Sequence, residues 1–163
     1  MVPGLAVGLF AGLRVAELKA ILWENINFAA RRIHVPKGIA KTRRERHVTI
    51  EDNLLQWLTP YRKDAGLVAP DGQKWRSRLD NVVKKAEVKW LHNGMRHSFA
   101  SYHVAKYQDS AKTAFQLGHG RDTDMLEDHY KQLRTPEEAE QYWNIRPEVK
   151  ANAVPEASER SPS

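Results

Sequence analysis

Apolar residues recur at helical spacing along most of the chain. Val15, Leu18, Ile21 and Leu22 predict a helix over residues 14–23. Other segments share this period, and they lie at 3–12, 51–64, 74–88, 95–106, 111–117 and 122–133. Two helix ends carry specific signals: Gly12 closes the first helix, and Pro60 should kink or end the one at 51–64. Thr135-Pro136-Glu137-Glu138 predicts a further helix start.

Two short segments alternate in polarity instead. Ile33 and Val35 alternate with polar neighbours, as do Val48 and Ile50, so residues 32–35 and 47–50 are predicted as strands. We expect residues 25–30 to form a turn before the first strand. The predicted fold is therefore mainly α with a small antiparallel β-sheet, an α+β class.

The last sixteen residues differ from the rest of the chain. Residues 148–163 are rich in Ala, Glu, Ser and Pro, a composition that buries too little apolar surface to fold. We expect one domain over residues 1–147, followed by a disordered tail over 148–163.

Charge and composition narrow the function class. The 163 residues carry a net charge of +6, and residues 31–46 hold seven Lys or Arg against the single acid Glu45. This density favours contacts with nucleic-acid phosphates, although a solvated hairpin has the same composition. The absence of cysteine excludes disulfides and is compatible with the reducing cytoplasm, where we expect the protein. No apolar run is long enough to span a bilayer.

Candidate chemistry lies in five short motifs that occur in a fixed order. They are Ala11-Gly12-Leu13-Arg14 with Glu17, Ala40-Lys41-Thr42, Asn93-Gly94-Met95-Arg96-His97-Ser98-Phe99, Leu117-Gly118-His119 and His129-Tyr130. Together, from about residue 4 to Pro147, they resemble the catalytic domain of the tyrosine recombinases, the phage integrase family. The ending HYKQLRTPEEAEQYWNIRP resembles a bacterial integrase-like subgroup.

The resemblance implies site-specific recombination or integration of double-stranded DNA, by strand cleavage and rejoining through a 3′-phosphotyrosine. Arg14 and Arg96 would hold the phosphate, and His119 would donate a hydrogen bond to it. Tyr130 would be the nucleophile, and Lys41 would protonate the departing 5′ oxygen. No metal or other cofactor is required, and family members assemble as tetramers on DNA.

Further residues receive supporting roles. Glu17 matches a residue that orients the first active-site arginine, and the cations Arg43, Arg44 and Arg46 are expected to contact DNA. The expected arrangement is a single anion pocket formed by Arg14, Arg96 and His119, with Lys41 at its rim.

Each role has a structural alternative that the sequence leaves open. Arg14 and Glu17, at positions i and i+3, suit an ordinary helix ion pair. Lys37 competes with Lys41, and Tyr130 has the spacing of a core aromatic. The aromatics after Tyr130, including Tyr142, either dock on a neighbouring protomer or pack on their own domain.

Two departures from the family pattern favour a second function. Asn93 stands where the family usually has histidine, and asparagine donates a hydrogen bond but cannot shuttle a proton. The chain also opens shortly before Arg14, so we expect an N-terminally truncated catalytic domain without the helical clamp domain. The alternative is therefore an impaired recombinase remnant that only binds DNA.

Overall fold

The structure is a computed structural model, and it describes residues 1–41, 43–70, 72–119 and 134–148. Within these residues, the chain is mainly helical with one three-stranded sheet, which confirms the predicted fold class. None of the described helices is long and apolar enough to cross a membrane.

The first helix, α1 (Val2–Ala11), forms the centre of the fold. It begins with Pro3 in its first turn and ends at Gly12, whose φ of 64° lies in the left-handed region. Most of its residues are buried, because it packs against both α3 (Asp52–Leu58) and α5 (Gly94–Tyr107). The predicted helix over 3–12 is therefore confirmed, and its end sets the direction of the chain toward Arg14.

The second helix is shorter than predicted. Helix α2 (Val15–Leu18) has four residues, whereas the apolar spacing predicted a helix over 14–23. Beyond it the backbone pairs with a distant segment: the Ile21 carbonyl accepts from Val68 N–H at 3.1 Å, and Trp23 N–H donates to the Gly66 carbonyl at 2.8 Å. These long-range bonds replace the helical ones, and a 3-10 turn follows over Trp23–Asn25.

The sheet has three antiparallel strands in the order β1 (Ile26–Asn27), β2 (Arg32–Val35) and β3 (Arg46–Thr49). The predicted strands at 32–35 and 47–50 thus correspond to β2 and β3, with β3 beginning one residue earlier. Strand β1 occupies part of the segment predicted as a turn. In the register Ile33 pairs with Val48, and Val35 pairs with Arg46, so all four side chains point toward the core.

The remaining helices follow the predicted positions closely. Helix α3 ends at Leu58 and continues as a 3-10 turn over Thr59–Tyr61, as Pro60 predicts. Helices α4 (Gly72–Ala86), α5 and α6 (Ser110–Leu117) match the segments at 74–88, 95–106 and 111–117. The predicted helix over 122–133 lies outside the described residues, as does all but the first residue of the predicted tail.

The last described helix, α7 (Pro136–Trp143), packs against its own domain. It begins with a capping box in which Thr135 and Glu138 bond each other's backbone N–H, as the sequence predicts. The Tyr142 hydroxyl donates to the Leu9 carbonyl at 2.5 Å, and Trp143 Nε1 donates to the Tyr102 carbonyl at 3.1 Å. The two aromatic side chains are therefore part of the core of this chain.

Candidate active site

Three helix ends meet at the guanidinium of Arg96. Arg96 lies in the first turn of α5, and it donates from Nη1 to the Gly12 carbonyl at 2.7 Å and from Nη2 to the Leu117 carbonyl at 2.6 Å. Gly12 and Leu117 lie at the C-terminal ends of α1 and α6, where carbonyl groups lack helical partners and carry partial negative charge. A fixed cation satisfies both ends and holds the three helices in register.

His119 contacts the same guanidinium. Its Nε2 lies 2.9 Å from Arg96 Nη2, and because a guanidinium only donates, Nε2 accepts this hydrogen bond. The ring proton is then on Nδ1. Gly118 makes this contact possible: it ends α6 with φ 71°, which turns the chain back toward Arg96. The structure therefore brings the predicted residues Arg96 and His119 into direct contact.

Arg14 lies at the start of α2, immediately after the turn that ends α1. Its backbone N–H donates to Glu17 Oε2 at 2.9 Å, and its Nη1 donates to Glu17 Oε1 at 3.3 Å. The Arg14 side chain is 18% exposed, whereas Glu17 is fully buried. The contact matches the expected link between Glu17 and Arg14. The buried carboxylate fixes the position of the Arg14 side chain, which stays partly exposed to solvent.

The position of Arg46 differs from the one expected from the sequence. It was expected to contact DNA, but its guanidinium is buried and donates to both oxygens of Glu17, at 3.0 and 2.7 Å. Burial alone would raise the pKa of Glu17, but the hydrogen bonds and positive charges of Arg46 and Arg14 outweigh it and lower that pKa. Arg46 also donates from Nε to the Gln116 carbonyl at 3.0 Å, so it is part of the protein interior.

Arg14 and Arg96 line one cleft of about 410 Å³. Asn93, at the left-handed start of α5, lies in the same lining. Among the described residues, the lining carries four Lys or Arg side chains and no carboxylate. It comprises Leu13, Arg14, Val15, Lys19, Trp75, Arg76, Leu79, Trp90, His92, Asn93, Gly94, Met95 and Arg96. A cleft of this charge suits an anion such as a phosphodiester.

The predicted residues Lys41, Arg43, Arg44 and His119 are not among the residues that line this cleft. Lys41 is exposed on the hairpin between β2 and β3, where it borders a shallow hollow with Lys37 and Arg43, and it is not among the side chains that line the cleft. Arg43 and Arg44 are exposed, as expected for cations that contact DNA. Tyr130 lies outside the described residues.

Two cations of the cleft were not singled out from the sequence. Lys19 follows α2, and Arg76 lies in the first half of α4 with its side chain 80% exposed. The signal for Arg76 is present in the sequence, since it is one of three cations, with Lys74 and Arg78, at the start of an amphipathic segment. Within the described residues, no group of three or more His, Asp or Glu side chains is placed to hold a metal ion.

The sequence of residues 5–136 matches the model of the phage integrase family. The chain belongs to this family. The match covers most of the chain and includes all five motifs described above, so the identification as a tyrosine recombinase catalytic domain is confirmed. Among curated proteins, none matches significantly.

Two solved structures share this integrase fold. Both are Tn1549 transposon integrase in complex with circular intermediate DNA, and both are 17% identical to this chain. The first alignment has a TM-score of 0.62 and covers 78% of this chain and 53% of the integrase chain. The second has a TM-score of 0.59 and covers 85% of this chain and 56% of the integrase chain. This chain therefore spans about half the length of the integrases it resembles, and at this identity the likeness establishes the fold.

Proposed function

We propose that this integrase-family domain cleaves and rejoins DNA at a specific site through a 3′-phosphotyrosine intermediate. The observation that carries the proposal is the shared cleft of Arg14 and Arg96, with His119 bonded to Arg96 and no carboxylate among the described residues of the lining. Negative charge on a phosphodiester rises in the five-coordinate transition state, and two guanidiniums stabilise it while staying charged.

The proposed chemistry divides the reaction among the predicted residues. The Tyr130 phenol loses its proton to solvent water as its oxygen attacks phosphorus, and a phosphotyrosine bond forms while the bond to the 5′ oxygen breaks. Lys41 supplies the proton that the departing oxygen needs. Arg14, Arg96 and His119 hold the non-bridging oxygens, and Asn93 adds a hydrogen bond from the side of the cleft. Bond energy is conserved in the intermediate, so a free 5′ hydroxyl can reverse the step.

The exposed position of Lys41 gives the hairpin a specific part in this proposal. Because Lys41 is not in the cleft lining, the hairpin must bring it to the leaving group when DNA binds. Arg43 and Arg44, beside it, are placed to contact adjacent phosphates. Arg76, which lies on α4 and lines the cleft, adds a further phosphate contact.

The partner proposed for this face is double-stranded DNA, with the active assembly a homotetramer as in other family members. Arg14 and Lys19, on either side of α2, and Arg76 on α4 make the cleft basic, and the hairpin carries further cations. Duplex binding should therefore be driven by phosphate contacts and counterion release, and its affinity should fall steeply with salt.

A second function is a DNA-binding remnant that does not cut. Asn93 in place of histidine and the position of Lys41 outside the cleft favour it. The two functions differ in one product, a covalent protein–DNA adduct. Incubation with a pool of nicked duplexes of random sequence, followed by denaturing electrophoresis, measures this product and selects the target site.

The first function predicts an adduct that survives denaturation and is absent for Tyr130→Phe. Tyr61→Phe is the matched control, because Tyr61 is an exposed tyrosine of the 3-10 turn after α3, and it should leave the adduct unchanged. Retention of duplexes without any adduct, for the wild-type chain, would instead support the DNA-binding remnant.

A further inference from the structure

Arg46 connects three parts of the fold that the proposed chemistry depends on. It lies on β3, five residues after Lys41, and its side chain is only 4% exposed. Two of its nitrogens bind the carboxylate of Glu17, which in turn binds the backbone and side chain of Arg14. Its third nitrogen binds the Gln116 carbonyl at the end of α6.

The same side chain also lies against the turn that carries His119. A Cβ atom added at Gly118 would lie 3.1 Å from Cδ, Nε and Nη1 of Arg46. The Arg46 guanidinium therefore packs directly under the turn between Leu117 and His119. Both Leu117 and His119 contact Arg96, so Arg46 is linked to Arg14 through Glu17 and to Arg96 through the Gln116–His119 turn.

Stability alone gives a weak reason for this arrangement. Removing two charges from water costs several kcal/mol per ion, and replacing such a pair with apolar residues is often neutral or stabilising. Arg46 nevertheless donates three hydrogen bonds, and these hold the buried Arg46–Glu17 pair in one geometry. A directional network specifies where its neighbours lie, which an apolar contact of the same volume does not.

We propose that Arg46 is a positioning residue, which through Glu17 and the Gln116–His119 turn holds Arg14 and His119 in the geometry that binds phosphate. The inference rests on the proposed function, because it assigns phosphate to this cleft. The inference goes beyond the proposed function because it identifies Arg46 as the point where the β-hairpin is attached to the domain interior. Lys41, on the same hairpin, is the residue proposed to move toward the leaving group. Arg46 itself touches neither DNA nor the reacting atoms.

The test replaces the whole ion pair, so that no buried charge is left alone. The variant Arg46→Met/Glu17→Leu should fold, and titration with inorganic phosphate, followed by the Nε–H resonances of Arg14 and Arg96, measures the site directly. We expect phosphate affinity to fall roughly tenfold to 100-fold, as for the loss of an outer partner that orients a ligand-binding group. Wild-type affinity in this variant would overturn the proposal.

A matched control and a conservative variant guard against trivial effects. Arg31→Met/Asp52→Leu removes an exposed ion pair of the same type next to the sheet and should leave phosphate affinity unchanged. Arg46→Lys keeps the charge but provides one donor group in place of the fork, so its affinity should lie between wild type and the double variant. If the double variant fails to fold, Arg46→Lys decides, and wild-type affinity in it overturns the proposal.

Failure of the proposed function has a separate signature. If the wild-type chain takes up no phosphate, the cleft is not a phosphate site, whatever Arg46 does. The positioning claim is then judged without phosphate, from the Arg14 Nε–H resonance. We expect this resonance to shift and its solvent exchange to accelerate in Arg46→Met/Glu17→Leu, and unchanged values would overturn the claim.

Discussion

Arg96 Nη2 and His119 Nε2 lie 2.9 Å apart, although 23 positions separate the two residues in the sequence. The contact exists because α5 begins where α6 ends, and because Arg96 binds the Leu117 carbonyl as well. Two residues recognised from separate motifs thus form one unit in the fold. Arg96 reaches the end of α1 with its other nitrogen, so this unit is continuous with the turn before Arg14.

The turn at Gly12 should be intolerant of a side chain. Gly12 has φ 64°, and a Cβ there would lie 2.5 Å from Phe99 Cδ1. Gly12→Ala should destabilise the fold by about 1–3 kcal/mol, through left-handed strain and this clash. Chemical denaturation measures the loss. Gly38→Ala is the control, since nothing lies within 4 Å of its Cβ position, and an equal effect of both substitutions would contradict the account.

The dependence of stability on pH should report on His103. Burial lowers the pKa of His103 to about 4, so the folded state keeps the ring neutral while the unfolded state protonates near its ordinary value of 6.5. The free energy of unfolding should therefore be highest above pH 6.5 and fall as the pH drops toward 4, by up to about 3 kcal/mol.

Two substitutions isolate this contribution. His103→Gln removes the titrating ring and should flatten the slope between pH 6.5 and 4.5, measured by denaturant unfolding at a series of pH values. His92→Gln, at an exposed position, should leave the slope as it is. A slope that persists in His103→Gln would mean that another group causes it.

The sequence predicted most elements of the fold because their signals are local. Amphipathic spacing, the glycine at position 12 and the capping box at Thr135 act within one or two helical turns. The prediction was wrong where hydrogen bonds between distant backbone segments determine the secondary structure. The predicted helix over 14–23 stops at Leu18 because Ile21 pairs with Val68, and the two-residue strand β1 exists only through its partner strand.

In the candidate active site too, local motifs were predictable from the sequence and long-range contacts were not. The motifs identified Arg14, Arg96 and His119: the two arginines line one cleft, and His119, outside that lining, accepts a hydrogen bond from Arg96. Arg46 was misassigned because a basic run has the composition of a DNA-binding hairpin, whichever of its members point inward. Its partner Glu17 lies 29 positions away, and only the folded chain brings the two together.

Arg76 should contribute to DNA affinity without affecting sequence preference. Its exposed side chain borders the cleft, where it would neutralise a phosphate. Arg76→Ala should weaken duplex binding uniformly across sequences and reduce the slope of log affinity against log salt by about 1. Fluorescence anisotropy at several salt concentrations measures both. The control is Lys112→Ala, because Lys112 lies over the Tyr107 ring and is not in the cleft lining. An unchanged salt slope in Arg76→Ala would refute the proposed phosphate contact.

Helix α7 should contribute to the stability of the isolated domain. Trp143 packs against Phe10, Phe99 and His103, and it is 7% exposed. Trp143→Ala should cost about 3–5 kcal/mol, the usual range for truncating a buried aromatic. Ile145→Ala, at a position 49% exposed, should cost little. A thermal melt of both variants compares them, and equal melting temperatures would show that α7 does not pack on its own domain in solution.

The central claim is that Arg14 and Arg96 hold a DNA phosphate for attack by Tyr130. The most direct measurement is mass spectrometry of peptides from the denatured adduct formed on nicked DNA. The account predicts a nucleotide bound to the peptide that contains Tyr130, with adduct yield reduced by about 100-fold or more in Arg96→Lys. A nucleotide on any other residue, or full yield in Arg96→Lys, would contradict it.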